Sequence, residues 1–232
     1  MQIDGSRILI TGGGTGIGLA LARQLVARGA RVAICGRRPE VLERTAAELG
    51  ILAIPCDVAD EAQVLAMYDR LDEAFGGLDA LINNAAFGYR ASLLDTDRAS
   101  FESVLATNVT GAMLVGREAA RRMVGQSSGS IVNVGSTAAR RGYPRGGAYA
   151  ASKFALSGLT ECWRAELRSS GVRVMQINPS EVITPFGGRE DLTERPDRLR
   201  AVDVAQLVLA CLEMDDRGFV TEATLWASNP IS

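Results

Sequence analysis

Short apolar runs alternate with amphipathic helical patterns along nearly the whole chain, and this alternation limits the possible fold more than any other feature. The runs lie at Arg7–Thr11, Arg31–Cys35, Ile51–Ile54, Leu78–Ile82, Ser130–Val134, Val172–Ile177 and Thr221–Trp226. They lack the in–out alternation of a strand with one wet face, so they are expected to be covered on both sides, as in a parallel sheet. Helical patterns occupy 16–28, 39–49, 60–75, 98–124, 148–170 and 201–213. The pattern predicts one α/β domain over 1–232, of the Rossmann type. Its doubly wound, seven-stranded, mainly parallel sheet carries helices on both faces, with right-handed crossovers. The 232 residues suffice for a single core and contain no repeat, linker or low-complexity stretch. Ligands of such sheets bind at the carboxyl ends of the strands, where strand order reverses.

Composition narrows the chemistry. Hydrophobic residues make up 47% and charged residues 22% of the chain, with a formal net charge of −2. That balance suits a folded globular protein and gives no basic excess for nucleic acid or an anionic membrane, so neither is an expected partner. There is no histidine, which removes Ser-His-Asp and Cys-His catalysis, histidine metal ligation and histidine proton transfer. Acids and bases must come from carboxyl, Tyr, Lys or Cys groups. Of the 25 basic residues, Lys153 alone is lysine; one lysine among arginines marks a place where a guanidinium does not serve.

Cys35, Cys56, Cys162 and Cys211 are well separated, form no C-x-x-C pair and sit beside apolar residues. They are expected as buried free thiols, with no metal site. Asp4 and Arg7 interrupt the start, so no signal peptide is expected there. No apolar run reaches the ~18 residues of a membrane span. A cytoplasmic location is the expectation.

Thr11-Gly12-Gly13-Gly14-Thr15-Gly16-Ile17-Gly18 joins the first strand to the first helix. Glycines there allow a tight turn and close approach of backbone N–H groups to a pyrophosphate, which the helix N-terminus attracts. The T-G-x-x-x-G-x-G spacing resembles that of the classical short-chain dehydrogenase/reductase family. A carboxylate at the end of the second strand would select NAD, but Gly36, Arg37 and Arg38 stand there instead. A small residue leaves room for a 2′-phosphate and guanidinium can grip it, so NADP (NADPH) is the expected cofactor. Two solvated arginines are the plainer alternative.

Further stations follow in the family's order from residue 7 to about 185. Asp57, with Val58, follows the third strand; the resemblance implies an adenine contact, while Asp60 is the better cap for the next helix. Asn83-Asn84-Ala85-Ala86 is similar to the family's N-N-A-G, with Ala86 replacing the glycine. Asn108 and Gly111 match N-x-x-G, which implies a water held by Asn108 and linked to the lysine. An amide tying down a helix irregularity is the other reading. Asn178-Pro179-Ser180-Glu181-Val182-Ile183-Thr184 is similar to N-P-G-x-V-x-T, implying cofactor contacts at Pro179, Val182 and Thr184. The implied division is a dinucleotide-binding part over about 1–135, a catalytic part over about 136–185 and a substrate lid over about 185–200.

Tyr149 and Lys153 lie four apart, hence on one helix face, and Ser136 precedes them by 13 residues. Reducing a carbonyl makes an alkoxide that must be protonated. A phenol of pKa ~10 does this poorly at neutral pH. A cation at ~4 Å with an effective dielectric of ~20 stabilises phenolate by about 4 kcal/mol, roughly three pKa units. The resemblance therefore implies Tyr149 as proton carrier, Lys153 as its cation and ribose ligand, Ser136 as carbonyl holder and Asn108 as relay.

The implied substrate is a small carbonyl or alcohol, with a 3-oxoacyl thioester, as in 3-oxoacyl-acyl-carrier-protein reductases, as first candidate. NADP-dependent 3-hydroxy acid dehydrogenases and general carbonyl reductases are the alternative. Ser127 and Ser170 occupy the places of carrier-docking arginines, with Arg121, Arg122, Arg164 and Arg168 nearby. The tail Trp226-Ala227-Ser228-Asn229-Pro230 lacks the family's frequent G-G turn. Phe186–Arg200 is the expected lid, hinged at Gly187-Gly188. Arg140-Arg141-Gly142-Tyr143-Pro144-Arg145 borders the site and reads as an anion contact or a solvated run. Helices 98–124 and 148–170, with Trp163, imply a homodimer or homotetramer. A non-catalytic NADP sensor would tend to lose Tyr149 or Lys153, and both are present. An extended-family epimerase would use a different glycine spacing and a longer C-terminal region.

Overall fold

The structure is a computed structural model that describes residues 1–228. Its strands are β1 (Arg7–Thr11), β2 (Arg31–Gly36), β3 (Leu52–Pro55), β4 (Ala80–Asn83), β5 (Gly129–Val134), β6 (Val172–Pro179), β7 (Val182–Ile183), β8 (Leu199–Arg200) and β9 (Glu222–Leu225). Seven form one sheet in the order β3-β2-β1-β4-β5-β6-β9, and every pairing in it is parallel. β7 and β8 make a separate parallel pair. The helices are α1 (Gly16–Val26), α2 (Pro39–Leu49), α3 (Glu61–Phe75), α4 (Arg98–Leu105), α5 (Ala112–Gln126), α6 (Gly147–Leu167) and α7 (Ala201–Glu213).

The apolar runs are strands because both faces of each are covered. Ile8 and Ile10 point into one core with Leu21, Leu25, Ile34, Val208 and Leu212. Leu9 points into the other with Ile54, Met67, Leu71, Leu81 and Ile131. All three β1 residues are fully buried, each contributing roughly 1.5–3 kcal/mol. Strand order reverses between β1 and β4, so the loops after these two strands open the crevice where a ligand binds.

Three local features differ from the sequence reading. The helix expected over 98–124 is broken by a π-helical segment, Ala106–Gly111, between α4 and α5. Within it Gly111 approaches Val58 so closely that a Cβ there would stand 2.8 Å away, and Asn108 is tied to a neighbouring loop. Cys162 is exposed on α6, unlike the other three thiols. Cys35 and Cys56, 21 positions apart in the chain, meet across β2 and β3, because parallel pairing sets the ends of these strands side by side. The expected cap holds: the Asp60 carboxylate accepts from Gln63 N at 3.2 Å. No helix among the described residues is long and apolar enough to cross a membrane.

Candidate active site

The glycine turn is pinned before it meets any ligand. Gly12 N and Gly13 N donate to Cys35 O at 2.8 and 3.3 Å, which folds the turn over β2. Gly12 and Gly16 have φ of +66° and +55°, a conformation that favours glycine. A Cβ on Gly18 would stand 2.3 Å from the Gly12 carbonyl, and one on Gly14 would press on Val41 at 2.9 Å. Thr15 caps α1 in extended conformation without a side-chain bond, and no acid lies in the first turn. The N–H groups around Gly16 and Ile17 thus present uncompensated positive charge. A cradle lined by backbone N–H groups and shut to side chains fits a pyrophosphate.

Other nucleotide-side residues gather at the same strand ends. Thr11 Oγ1 accepts from Asn84 N and Ala85 N at 3.0 and 2.9 Å, and Asn84 Nδ2 donates to Thr11 O at 2.9 Å. These bonds join the loops after β1 and β4, with Ala86 next in line. Gly36 ends β2; Arg37 and Arg38 are exposed and pair with no carboxylate among the described residues. Asp57 Oδ1 accepts from Ala59 N at 3.0 Å, and Val58 packs against Gly111. Pro179 ends β6, Val182 lies in β7, and buried Thr184 sits 3.1 Å from where a Gly16 Cβ would be. The loop after β6 therefore closes on the glycine turn.

The candidate reacting side chains come from α6 and the loop after β5. Lys153 is 3% exposed, and its Nζ lies 5.6 Å from the centre of the Tyr149 ring. Burial pushes the Lys153 pKa down to about 8. Burial also pushes the Tyr149 phenol up to about 12, an effect the Ser136 hydroxyl partly offsets. This corrects the sequence expectation of a lowered phenol. The Lys153 ammonium donates to the Val134 carbonyl at 2.8 Å, and desolvation by burial is the largest influence on the phenol. Ser136 caps a short 3₁₀ turn, its Oγ accepting from Ala138 N at 3.1 Å.

Asn108 sits in the π segment, 1% exposed. Its Oδ1 accepts from Phe87 N at 2.7 Å, and its Nδ2 donates to Phe87 O at 2.9 Å and to Ser152 Oγ at 3.0 Å. Ser152 Oγ in turn donates to Tyr149 O at 2.7 Å. The amide thus joins the loop after β4 to the Tyr149 turn of α6, and no hydrogen bond links it to Lys153. The geometry displays the tie at the helix irregularity, which is compatible with a water held by Asn108 and linked to the lysine.

Phe186 packs on Tyr149 with ring centres 5.6 Å apart. A Cβ on Gly88 would stand 2.8 Å from the Phe186 ring, so this glycine makes room for it. Gly187 and Gly188 follow with φ of +68° and +77°. Both ends of the segment 189–198 are tied to one carboxylate, since Arg189 and Arg198 each pair with Glu181. Sequence reasoning did not single out Gly88, Gln176 or Glu222. Gln176 carried a signal, being a polar residue within an apolar run; the other two did not. The tail residues Asn229 and Pro230 lie outside the described residues.

Comparison with known proteins accords with this geometry. The family model described as short chain dehydrogenase matches residues 6–195. D-threitol dehydrogenase of Mycolicibacterium smegmatis is 35% identical over 204 residues, covering 86% of this chain and 78% of that protein. The structure of an alcohol dehydrogenase from Thermococcus sibiricus, complexed with 5-hydroxy-NADP, superposes with a TM-score of 0.92. It is 25% identical and 99% of each chain is covered. The 3-ketoacyl-(acyl-carrier-protein) reductase from Brucella melitensis, complexed with NADH, gives a TM-score of 0.90 at 27% identity, covering 99% of this chain and 100% of that one. A wholly parallel sheet, a glycine turn opening the first helix, and a Ser, Tyr and Lys drawn together on α6 and the loop after β5 thus coincide with the matches over most of the chain, which belongs to the short chain dehydrogenase family of nicotinamide-dependent oxidoreductases acting on alcohols and ketones.

Proposed function

We propose that the protein is an NADP-dependent oxidoreductase that interconverts a ketone or aldehyde and the corresponding secondary or primary alcohol. The observation that carries this reading is the convergence of Ser136, Tyr149 and Lys153 beside the crevice opened by β1 and β4. A nicotinamide cofactor, when bound, supplies or takes up the hydride. The turn from Thr11 to Gly18 would hold its pyrophosphate, Arg37 and Arg38 its 2′-phosphate, and Asp57 and Val58 its adenine. Asn84, Ala85 and Ala86 would line the crevice. Pro179, Val182, Thr184, Tyr149 and Lys153 would hold the nicotinamide end.

The chain's own groups then handle the proton. The Ser136 hydroxyl holds the substrate oxygen next to the Tyr149 hydroxyl. Tyr149 gives its proton to the developing alkoxide, or accepts it from the alcohol in reverse. A phenol at about 12 is a competent acid for an alkoxide but a weak base at neutral pH. Lys153 at about 8 is protonated at neutral pH and stabilises the phenolate left behind. Asn108 fixes the backbone turn from which Tyr149 projects.

A free carbonyl compound is the better-supported substrate class, ahead of a carrier-bound 3-oxoacyl thioester. Arg122 is engaged with Asp72 and Glu118, and Arg164 with Val174 O, Thr221 O and Glu161. Arg121 is exposed but paired with Glu118 at 2.9 Å as well, which leaves Arg168 as the exposed guanidinium of the four without a carboxylate partner among the described residues. The apolar surface formed by Met113, Ala120, Val124 and Trp163 on α5 and α6 supports assembly as a homodimer or homotetramer, and cytoplasmic residence is proposed with it. The test is NADPH and NADH consumption across 3-oxoacyl thioesters, β-keto esters, aldehydes, cyclic ketones and keto-polyols. Turnover by wild type and its loss in Tyr149→Phe support the reading; no turnover with any of them overturns it.

A further inference from the structure

A polar network runs beneath Ser136 to the edge of the sheet. Ser136 N donates to Asn178 Oδ1 at 3.2 Å, and Gln176 Nε2 donates to the same oxygen at 2.8 Å. The Asn178 amide nitrogen donates to Glu222 Oε1 at 2.5 Å. Arg140, four residues after Ser136, donates through Nε to the same carboxylate oxygen at 3.0 Å and pairs with the other oxygen. Gln176 Nε2 also donates to Ser157 Oγ at 2.7 Å, and Ser157 Oγ donates to Lys153 O at 3.2 Å. Asn178 is fully buried and Gln176 nearly so.

The polarity of this chain is fixed at one end. An ionised carboxylate only accepts, so it holds the Asn178 NH₂ group toward β9 and leaves the amide oxygen facing Ser136. With the amide turned over, its NH₂ group would oppose the Ser136 N–H and its oxygen would oppose the carboxylate. The site is closely packed: a Cβ on Gly135 would stand 2.0 Å from Asn178 Oδ1. The other charged groups near Glu222 are Arg164, which donates to Thr221 O, and Glu161, which pairs with Arg164.

We propose that Glu222, braced by Arg140, is a positioning residue that acts through Asn178 to hold Ser136 against Tyr149. The inference rests on the reading of Ser136 and Tyr149 as the reacting pair. It assigns a role in the chemistry to the last strand of the sheet, 73 positions beyond Tyr149.

The test compares Glu222→Leu, Glu222→Gln, Ser136→Ala and the Glu222→Leu/Ser136→Ala double variant, using the best ketone of the panel and its alcohol. Glu222→Leu is expected to lower kcat by about 10-fold or more, since small misplacements at a reacting centre are costly, with KM for NADPH within about two-fold. In alcohol oxidation its Tyr149 limb moves to higher pH, because Tyr149 loses the Ser136 hydroxyl that eases its ionisation. Glu222→Gln, which keeps an oxygen for Asn178, retains most of the activity. In the Ser136→Ala background Glu222→Leu adds little, since both act through one group. Gly135→Ala, which drives the Asn178 amide away without touching β9, gives the same pH shift and serves if Glu222→Leu does not fold. Additive losses, an unmoved Tyr149 limb or Glu222→Gln as impaired as Glu222→Leu overturn the inference. A wild-type rate in Ser136→Ala overturns the reading of the site and the inference together; a normal Ser136→Ala loss with an inert Glu222→Leu overturns the inference alone.

Discussion

Lys153 donates from Nζ to the Val134 carbonyl at 2.8 Å, so the chain's one lysine ties α6 to the end of β5 while standing 5.6 Å from the centre of the Tyr149 ring. An ammonium buried this deeply is held below its ordinary pKa, and that has a cost in stability that activity must offset. Folded Lys153 titrates near 8, against 10.5 in an unfolded chain. Between these values the unfolded state binds the extra proton, so this group's contribution to stability rises with pH from about 8 to 10.5 and is least favourable below 8. Lys153→Met is therefore expected to be more stable than wild type at pH 7 by about 2 kcal/mol, after loss of one hydrogen bond. The advantage shrinks as pH climbs past 8. Denaturant unfolding of both proteins from pH 6.5 to 10 measures the difference; a constant gap, or a less stable variant at pH 7, contradicts it.

Lys153→Arg is expected to be nearly as inactive as Lys153→Met, despite keeping the charge. A planar guanidinium is longer and broader than an ammonium and does not fit a site 3% exposed. Activity falling ~10² or more in both variants is the expected result. Near-normal turnover in the arginine variant would show that the lysine's singularity is an accident of composition.

Tyr149→Phe keeps the ring that Phe186 packs on and removes only the hydroxyl. Cofactor affinity should persist while kcat falls by at least ~10², the usual share of a general acid. Steady-state rates beside NADPH titration by fluorescence separate the two; turnover within a few-fold of wild type means that another group carries the proton.

Arg37→Ala should weaken NADPH binding by about 1.5–3 kcal/mol, roughly 10- to 100-fold, and leave NADH nearly unchanged. Exposed Arg37 pairs with no acid among the described residues, so its loss breaks no internal bond. Equal affinity of wild type for the two cofactors would remove the basis for an NADP preference.

Asn108→Leu removes the side chain that satisfies both the N–H and the C=O of Phe87. Each orphaned half-buried group costs up to about 1–3 kcal/mol, so a drop in Tm should accompany the loss of activity. Thermal unfolding that matches wild type would mean that the π segment holds without its amide.

What could be read in advance follows from how locally each feature is encoded. The glycine turn, the Tyr149–Lys153 pair and the Ser136 loop announce themselves because strand, turn and helix signals flank them. The Asn178–Glu222 bond joins residues 44 apart on neighbouring strands, and no periodicity marks such a partner. The Tyr149 ionisation runs opposite to expectation because spacing reveals a nearby cation but not how deeply the phenol is buried. The π segment was legible only as an awkward polar residue in an apolar helix. Cys35 and Cys56 meet because of sheet register, a property of the assembled strands.

The wholly parallel sheet has a consequence for how this molecule comes into being. No strand of this sheet can pair with its neighbour through a hairpin; even its shortest-range pairing, Ala33 with Leu52, spans a helix, and Ile8 must find Ala80 across three. Sheet formation is therefore a non-local search, slow relative to helix formation. The pairing of Gln176 with Glu222 waits for β9 to leave the ribosome. A nascent chain stalled short of that point carries an open edge at β6, a strand without its outer partner and a template for pairing with the wrong chain.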